Sequence, residues 1–325
     1  MSRVLVTGAN GFVGQSMTRL LLSEGFQVRA AIREKSKYTL AENFPVTDRV
    51  AFELDSSEND YVQLLDDVQY VVHLAARVHM DNKSKNDYGR YLTTNVEGTK
   101  LLAEQAARQG VKRFIFLSTI KVNGEFTAAN NHSDLHGFNE NDLANPQDGY
   151  SQSKFEAEQV IRTVCQKSKM ELVILRSPLI YGPGVKANFL HLLKIVDRGF
   201  PLPLASIENL RSIIFVENLC KGILACLEHA DAANELFLIS DCDVSVPELI
   251  RKLASAMRRK VILIPFPITI LRAIAGLIAK SGNIERLTQS LVINNSKIRK
   301  KLNWSPSFTV EEGLASTVDW YRLHP

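Results

Sequence analysis

The sequence predicts an α/β fold: a doubly wound parallel β-sheet with a smaller C-terminal lobe. Short apolar runs such as "RVLVTG", "QYVVHL" and "ELVILR" alternate with helical segments in the N-terminal half of the chain. Apolar strands separated by helices are typical of a parallel sheet that helices cover on both faces. Near Arg176 the alternation stops, Pro and Gly become frequent, and helical segments dominate. The chain has 325 residues, which is enough for a sheet domain and a second lobe.

Each predicted element follows from its own pattern along the chain. Apolar and β-branched runs predict strands at residues 3–8, 27–32, 49–54, 69–74, 113–118 and 171–176. Helical periodicity predicts helices at residues 13–25, at residues 91–110 and from Tyr150 onward. The polar stretch 124–149 predicts a long loop, and loops of that length are often functional. We therefore assign residues 1–175 to the sheet domain and residues 176–325 to the second lobe, which partly interleaves with the first.

Composition argues against several functional classes. The chain is 45% hydrophobic with a formal net charge of +4, and its basic residues are scattered, so we expect no nucleic-acid surface. The four cysteines lie far apart, which predicts a cytoplasmic location and gives no metal-binding pattern. The N-terminus shows no signal-peptide pattern. The most apolar run, residues 261–279, contains Pro265, Pro267 and Arg272, so we expect no stable membrane insertion.

A glycine-rich turn follows the first predicted strand. Gly8, Gly11 and Gly14 lie between that strand and a predicted helix in "VLVTGANGFVGQS". Glycines let the backbone approach a pyrophosphate, and the helix N-terminus favours its negative charge. Glycines also form ordinary tight turns, but their place at the first strand of an alternating pattern favours a dinucleotide site.

A tyrosine and a lysine share one face of the helix that begins near residue 150. Tyr150 and Lys154 are four residues apart in "GYSQSKFEAEQVI". An ammonium group beside a phenol favours the phenolate, so we expect Lys154 to lower the pKa of Tyr150 from its ordinary value of ~10. Such a tyrosine can exchange protons near neutral pH. The pair alone is a weak signal, because similar pairs occur on many helix surfaces.

Together these motifs resemble the extended short-chain dehydrogenase/reductase superfamily, in particular its NAD(P)-dependent nucleotide-sugar epimerases, dehydratases and reductases. The resemblance covers nearly the whole chain and implies an NAD(P)-binding Rossmann domain followed by a nucleotide-sugar lobe. "LSTIKVNG" is similar to the end of the family's fifth strand, and this places Thr119 at the hydroxyl that holds the substrate oxygen. Asn95 matches the helix asparagine that supports the lysine through a bound water. The implied catalytic residues are Thr119, Tyr150, Lys154 and Asn95.

The resemblance also implies binding residues. Asp55 lies where relatives contact the adenine amino group, and residues 73–76 lie where small residues line the cofactor channel. The implied cofactor-binding residues are Gly8, Asn10, Gly11, Phe12, Val13, Gly14, Arg33, Asp55, Ser56, Leu74, Ala75, Ala76, Ser118, Tyr150, Lys154 and Ser177. Asn188 and Arg211 lie where relatives bind a nucleotide diphosphate, and Lys121 completes the implied substrate-binding set.

Two positions after Thr119 depart from the family's dehydratases. Those enzymes carry an Asp-Glu pair there, whereas this chain has Ile120 and Lys121, which cannot remove water by acid–base catalysis. A strand period of two would place Lys121 on the side of Thr119, toward the substrate. Lys121 could contact a phosphate, an N-acetyl oxygen or a loop carboxylate, and an ion pair with the 124–149 loop is an equal alternative. Asn123 replaces the family's tyrosine, which leaves its substrate contacts open.

The end of the second predicted strand favours NADP(H) over NAD(H). NAD-specific relatives carry an acidic residue there that holds the ribose 2′-hydroxyl. In this chain the position is Ile32, followed by Arg33. An arginine binds a 2′-phosphate, which a carboxylate would repel. Glu34 lies close by, so NAD(H) stays an alternative.

The resemblance is strongest to bacterial polysaccharide enzymes that act at C4 of a UDP-sugar. We expect reduction of a UDP-4-keto-6-deoxy-N-acetylhexosamine for surface polysaccharide (O-antigen) synthesis, with Tyr150 giving its proton to O4. A UDP-hexose or UDP-N-acetylhexosamine 4-epimerase is the alternative, and a non-catalytic NAD(P)-binding sensor is a third reading. Relatives pair two helices, which in this chain begin near Tyr91 and Tyr150, across a two-fold axis, and this implies a homodimer. The apolar positions available on these helices are Leu92, Val96, Phe155 and Ile161.

Overall fold

A seven-stranded parallel sheet forms the centre of the structure, a computed structural model that describes residues 2–33, 44–46, 48–78, 87–127, 136–271, 285 and 287–324. The strand order is β3-β2-β1-β4-β5-β6-β9, and every neighbouring pair is parallel. The strands are β1 (Arg3–Thr7), β2 (Gln27–Ile32), β3 (Asp48–Ala51), β4 (Tyr70–His73), β5 (Arg113–Thr119), β6 (Glu171–Ser177) and β9 (Glu235–Leu238). The strand order reverses between β1 and β4, so the predicted doubly wound fold is confirmed.

Helices cover both faces of this sheet. They are α1 (Phe12–Ser23), α2 (Tyr61–Leu65), α3 (Asp87–Tyr91), a π-helix (Leu92–Glu97), α4 (Gly98–Arg108), a 3₁₀ turn (Ile120–Val122), α5 (Gly149–Gln166), α6 (Ala187–Arg198), α7 (Val216–Glu228), a second 3₁₀ turn (Ala230–Ala232), α8 (Val246–Ala256), α9 (Ser296–Leu302) and α10 (Val310–Leu323). Apolar residues of α1 and α7 bury one face of the sheet, and those of α4 and α5 bury the other. Within the described ranges, none of these helices is long and apolar enough to cross a membrane.

A smaller three-stranded sheet belongs to the C-terminal half of the chain. It contains β7 (Leu179–Tyr181), β8 (Arg211–Phe215) and β10 (Cys242–Val244) in the order β10-β8-β7. After β8 the chain returns to the large sheet through α7 and β9, so the two halves interleave in the structure. The division at residue 175 itself stays a prediction.

Two of the apolar positions assigned to a dimer surface lie in the core of the chain instead. Val96 is 7% exposed and Ile161 is fully buried. Leu92 and Phe155 are half-buried. The choice of Val96 and Ile161 as surface residues is therefore wrong, because both side chains already pack inside the chain. The homodimer stays a prediction.

The carboxyl ends of the parallel strands meet at one edge of the large sheet. Thr7 of β1 pairs in register with His73 of β4, and Thr119 of β5 pairs with Ser177 of β6. Ligands of doubly wound sheets bind at this edge, where the strand order reverses. The predicted cofactor and catalytic residues follow these strand ends.

Candidate active site

The glycine-rich turn joins β1 to α1 and requires its glycines. Gly8 has φ +68°, and a Cβ there would lie 3.0 Å from the backbone of Ala75. A Cβ on Gly14 would lie 2.1 Å from the carbonyl oxygen of Gly8, so any larger residue would push α1 away from the turn. Gly11 donates its N–H to the Gly8 carbonyl at 2.8 Å, which closes the turn. The turn therefore holds the backbone of residues 8–11 close to the first turn of α1.

The start of α1 fits a pyrophosphate. Gly11 is the N-cap, and among the described residues no side-chain cap is seen on the first N–H groups of the helix. Free N–H groups and the helix dipole together favour a bound anion. The predicted residues around this turn are Gly8, Asn10, Gly11, Phe12, Val13 and Gly14. They fit the dinucleotide that the sequence implies.

A cleft of about 420 Å³ lies near the end of β3 and the π-helix. Asp55, Arg77 and Thr94 are among its lining residues. Thr94 Oγ1 donates a hydrogen bond to Asp55 Oδ2 at 2.9 Å, and Arg77 Nη2 lies 3.9 Å from the same oxygen. If Asp55 contacts the adenine amino group as predicted, the adenine would lie in this cleft. Ser56 follows it, and its hydroxyl accepts from the N–H of Glu58 at 3.1 Å.

A buried histidine fixes the strand ends beneath the cofactor channel. The hydroxyl oxygen of Thr7 accepts N–H groups from Leu74 and Ala75, both at 3.2 Å, and lies 2.7 Å from His73 Nδ1. His73 Nε2 lies 2.9 Å from Thr99 Oγ1. Burial, followed by the nearby charge of Lys154, lowers the pKa of His73 well below its ordinary value. A neutral imidazole is therefore expected. Its contacts with Thr7 and Thr99 fix the start of the segment from His73 to Ala76.

Thr119 and Tyr150 lie at the sheet edge on two different elements. Thr119 is the last residue of β5, and its hydroxyl oxygen accepts the N–H of Lys121 at 3.3 Å. Tyr150 lies in the first turn of α5, and its ring lies 6.2 Å from the ring of Tyr91. Asp148 caps α5 by accepting the N–H of Ser151 at 2.7 Å. This capping box fixes the turn that carries Tyr150.

Lys154 is one helical turn after Tyr150 and almost fully buried. It is 3% exposed, and its Nζ lies 3.8 Å from the centre of the Phe116 ring. The Phe116 ring in turn stacks on His73, with the ring centres 5.7 Å apart. Burial lowers the pKa of Lys154 to about 7, and the negative charge of Glu158 opposes that shift.

The expected lowering of the Tyr150 pKa is wrong for this structure. Burial is the largest cause of a raised Tyr150 pKa, and the charges of Asp148 and Tyr91 raise it further. The Lys154 ammonium contacts the Phe116 ring, and among the described residues no hydrogen bond joins it to the phenol. A shared helix face does not by itself bring the ammonium and the phenol into contact.

Asn95 clamps two segments of the site together. Its Oδ1 accepts the N–H of Arg77 at 2.7 Å, and its Nδ2 donates to the Arg77 carbonyl at 3.1 Å and to Ser153 Oγ at 3.0 Å. Ser153 precedes Lys154 on α5, so Asn95 connects the segment after β4 to the helix that carries the catalytic pair. The water-mediated support of Lys154 stays a prediction.

A buried ionic network that the sequence reasoning missed lies under α5. Arg176 donates to both carboxylate oxygens of Glu158, at 3.0 and 2.6 Å, and Ser118 Oγ donates to Glu158 Oε1 at 2.6 Å. Arg176 also donates to Asn123 Oδ1 at 2.8 Å. The signal was present in the sequence, since Glu158 is four residues after Lys154 and Arg176 ends an apolar strand. A charge in such a strand requires a buried partner.

One prediction changes because of this geometry, and another stays untested. The Ser118 hydroxyl donates to Glu158, and the predicted cofactor contact of Ser118 stays a prediction. The strand argument for Lys121 is wrong, because β5 ends at Thr119 and a 3₁₀ turn follows. Lys121 Nζ pairs with Glu125 at 2.9 Å and with Asp148 at 2.7 Å. Of the alternatives for Lys121, the structure shows the ion pair with the loop.

The remaining predicted residues are spread over the site and the second lobe. Arg33 is exposed directly after β2, and Ser177 is buried at the end of β6. Asn188 is exposed in the first turn of α6. Arg211 begins β8, and its Nη1 donates to the Gln289 carbonyl at 3.3 Å. The structure groups the predicted catalytic residues at the sheet edge, while the role of these four stays a prediction.

The fold and the site define a dinucleotide-binding enzyme of the short-chain dehydrogenase/reductase type. A glycine turn that fits a pyrophosphate and a predicted Thr–Tyr–Lys set at the same sheet edge support this conclusion. The sequence profile described as "NAD dependent epimerase/dehydratase family" matches residues 4–240. The chain belongs to this family, as the resemblance predicted.

Individual relatives are similar to this chain over nearly its whole length. A UDP-glucose 4-epimerase of Vibrio cholerae is 39% identical over 320 residues, covering 97% of this chain and 94% of that protein. An N-acetyl-α-D-glucosaminyl-diphospho-ditrans,octacis-undecaprenol 4-epimerase of Escherichia coli O157:H7 is 25% identical and covers 99% of this chain and 96% of that protein. The crystal structure of the UDP-glucose 4-epimerase of Thermotoga maritima with UDP-glucose has a TM-score of 0.78 at 22% identity, with 99% of each chain covered. This last similarity shows the fold.

Proposed function

We propose that the enzyme exchanges a hydride and a proton at C4 of a UDP-sugar. The observation that carries the proposal is the position of Thr119 and Tyr150 at the sheet edge, with Lys154 one turn beyond on α5. The same edge carries the glycine turn that fits a dinucleotide. The named relatives act, by their descriptions, on C4 of a sugar joined to a diphosphate.

The protein's own groups have distinct roles in this proposal. Tyr150 gives a proton to, or takes one from, the oxygen on C4, and the Thr119 hydroxyl donates a hydrogen bond to the same oxygen. Lys154 would support the phenol in the reacting complex, and Asn95 would support Lys154 and fix α5 through Ser153. The residues of the glycine turn would hold the dinucleotide. When bound, that dinucleotide supplies or accepts the hydride, and its oxidised form adds a positive charge that favours the phenolate.

Elimination of water is not part of the proposed reaction. Ile120, at one of the two positions that carry carboxylates in the dehydratases, is 1% exposed, and Lys121 at the other is a cation. Neither side chain can serve as the acid or base of an elimination at C5 and C6. This supports C4 chemistry that starts from an intact or previously dehydrated sugar.

Two outcomes of C4 chemistry have separate support. An exposed arginine directly after β2 favours a cofactor with a 2′-phosphate, and such a cofactor usually serves reductions. This supports the reduction of a UDP-4-keto-6-deoxy-N-acetylhexosamine for surface polysaccharide. The 39% identity to a UDP-glucose 4-epimerase and the NAD-dependent family support 4-epimerisation equally well. In either case we propose a homodimer in the cytoplasm.

One pair of assays separates the two outcomes. The purified protein is supplied with a UDP-4-keto-6-deoxy-N-acetylhexosamine and NADPH or NADH, and separately with UDP-N-acetylglucosamine or UDP-glucose and no added cofactor. Stoichiometric loss of reduced cofactor in the first assay supports reduction. Interconversion of gluco and galacto forms in the second, without turnover in the first, supports epimerisation. Failure of both would contradict C4 chemistry on these sugars.

Replacing Arg33 by methionine tests the cofactor preference. If Arg33 binds a 2′-phosphate, the dissociation constant for NADPH should rise about tenfold or more, the scale of a lost charge-assisted hydrogen bond. The dissociation constant for NADH should stay unchanged. Arg108, exposed near the end of α4, provides the control as Arg108→Met. A wild-type protein that clearly prefers NADH would show the NADP(H) assignment to be wrong.

A further inference from the structure

Lys121 joins two carboxylates that belong to different parts of the chain. Its Nζ lies 2.9 Å from Glu125 Oε1, in the loop that follows the 3₁₀ turn, and 2.7 Å from Asp148 Oδ2, at the N-cap of α5. The Lys121 side chain is 30% exposed, and those of Glu125 and Asp148 are 14% and 25% exposed. All three groups are thus partly shielded from water, where an ion pair is stronger than at an open surface.

The Asp148 carboxylate connects Lys121 to the catalytic helix. Its Oδ1 accepts the N–H of Ser151 at 2.7 Å, and its Oδ2 accepts from Lys121, so each oxygen has a separate task. Burial acts to raise the pKa of Asp148, but the hydrogen bonds from Lys121 and Ser151 outweigh it and hold that pKa below its ordinary value. Asp148 is therefore ionised at neutral pH and holds the first turn of α5.

The backbone of Lys121 contacts Thr119, the second residue proposed to act on the oxygen at C4. Its N–H donates to Thr119 Oγ1 at 3.3 Å and so restricts the rotation of that hydroxyl group. One residue therefore touches Thr119 through its backbone and the N-cap of the Tyr150 helix through its side chain. Thr119 and Tyr150 lie 31 positions apart in the sequence, and β5 and α5 have to be aligned for both to reach one oxygen.

We infer that Lys121 is a positioning residue that sets the spacing of the Thr119 and Tyr150 hydroxyl groups by tying the turn after β5 to the N-cap of α5. This inference rests on the proposed function only for its kinetic test. It assigns to Lys121 a role in the turnover step rather than in substrate binding. A substrate contact would instead predict a change in KM.

The ion pair also sets the charge around Tyr150. Among the described residues, the charges that act on the phenol are those of Asp148 at the helix cap and Tyr91 on α3. Lys154 lies one turn further along α5 against Phe116, and Lys121 pairs with Asp148 and with Glu125. Asp148 disfavours the phenolate, and the ammonium of Lys121 partly cancels that charge. Loss of Lys121 should therefore move the Tyr150 titration to higher pH, and loss of the Asp148 charge should move it to lower pH.

The test compares Lys121→Met, Lys121→Arg, Asp148→Asn and the Lys121→Met/Asp148→Asn double variant. Lys252→Met is the matched control, because Lys252 also lies between two carboxylates, Glu248 at 3.5 Å and Glu311 at 2.6 Å, in the second lobe. We expect Lys121→Met to lower kcat on the order of tenfold with KM little changed, since misplaced reacting groups slow the chemical step. Lys121→Arg should recover most of kcat, and Lys252→Met should match the wild type.

The pH–rate profile gives the reading that a merely structural ion pair would not change. The limb of the profile that reports the ionisation of Tyr150 should move to higher pH in Lys121→Met and to lower pH in Asp148→Asn. In the double variant it should move back toward the position of the wild type. An unchanged kcat and limb in Lys121→Met, or a raised KM with normal kcat, would overturn the inference. Should Lys121→Met fail to fold, an Asp148→Asn limb that does not move down overturns it equally.

A substrate-free measurement separates this inference from the proposed function. Amide hydrogen exchange at residues 149–152 should be faster in Lys121→Met than in the wild type and unchanged in Lys252→Met, because the cap loses its tether. Equal exchange in the wild type and Lys121→Met contradicts the inference whatever the substrate. Faster exchange with no C4 activity on any sugar supports the tether and counts against the proposed function alone.

Discussion

Replacing Tyr150 by phenylalanine should lower turnover by about 100-fold or more, while the fold and cofactor affinity remain. The phenol is the group placed to exchange a proton with the oxygen on C4. Phenylalanine keeps the ring near Tyr91, whose ring lies 6.2 Å from that of Tyr150, so packing should change little. Steady-state turnover on the C4 substrate and cofactor binding by fluorescence would measure the two quantities.

The control for this variant is Tyr88→Phe. The Tyr88 hydroxyl donates to Glu156 Oε1 at 2.6 Å at an exposed position between α3 and α5. Its loss should leave turnover near that of the wild type. If Tyr150→Phe also keeps near wild-type turnover, proton exchange through Tyr150 is excluded.

Replacing Glu158 by glutamine should destabilise the protein by ~3–5 kcal/mol, because a buried arginine would lose its counter-charge. Glu158 is fully buried and Arg176 is 5% exposed, so water cannot replace the missing carboxylate. The free energy of unfolding from urea titration would measure the effect. Cofactor and substrate play no part in this measurement.

Two comparisons make the Glu158 prediction specific. Glu156→Gln on the same helix should cost about 1 kcal/mol or less, since its hydrogen bonds to Tyr88 and Gln152 lie nearer the surface. The Glu158→Gln/Arg176→Met double variant should recover part of the loss, because no unpaired charge remains in it. A Glu158→Gln protein as stable as Glu156→Gln would mean that the pair does not hold the helix.

The sequence by itself determined the fold class and the glycine turn, while the catalytic set stays a prediction. Strand and helix periodicity depend on neighbouring residues, and the steric demand at Gly14 comes from Gly8 and Ala9 in the same turn. For the same reason the spacing of Tyr150 and Lys154 was enough to place both on α5. These features are local, so they can be inferred from a short stretch of the chain.

The tertiary structure alone decided the partners of the charged side chains. The sequence left four possible contacts open for Lys121. Because the α5 cap approaches the turn after β5 in the folded chain, the ammonium of Lys121 pairs with Asp148 and Glu125. Likewise, Glu158 and Arg176 are 18 positions apart and meet because α5 packs against β6. The expected effect of Lys154 on Tyr150 failed for the same reason. Electrostatic effects depend on distance and burial in three dimensions, and residue spacing along a helix fixes neither.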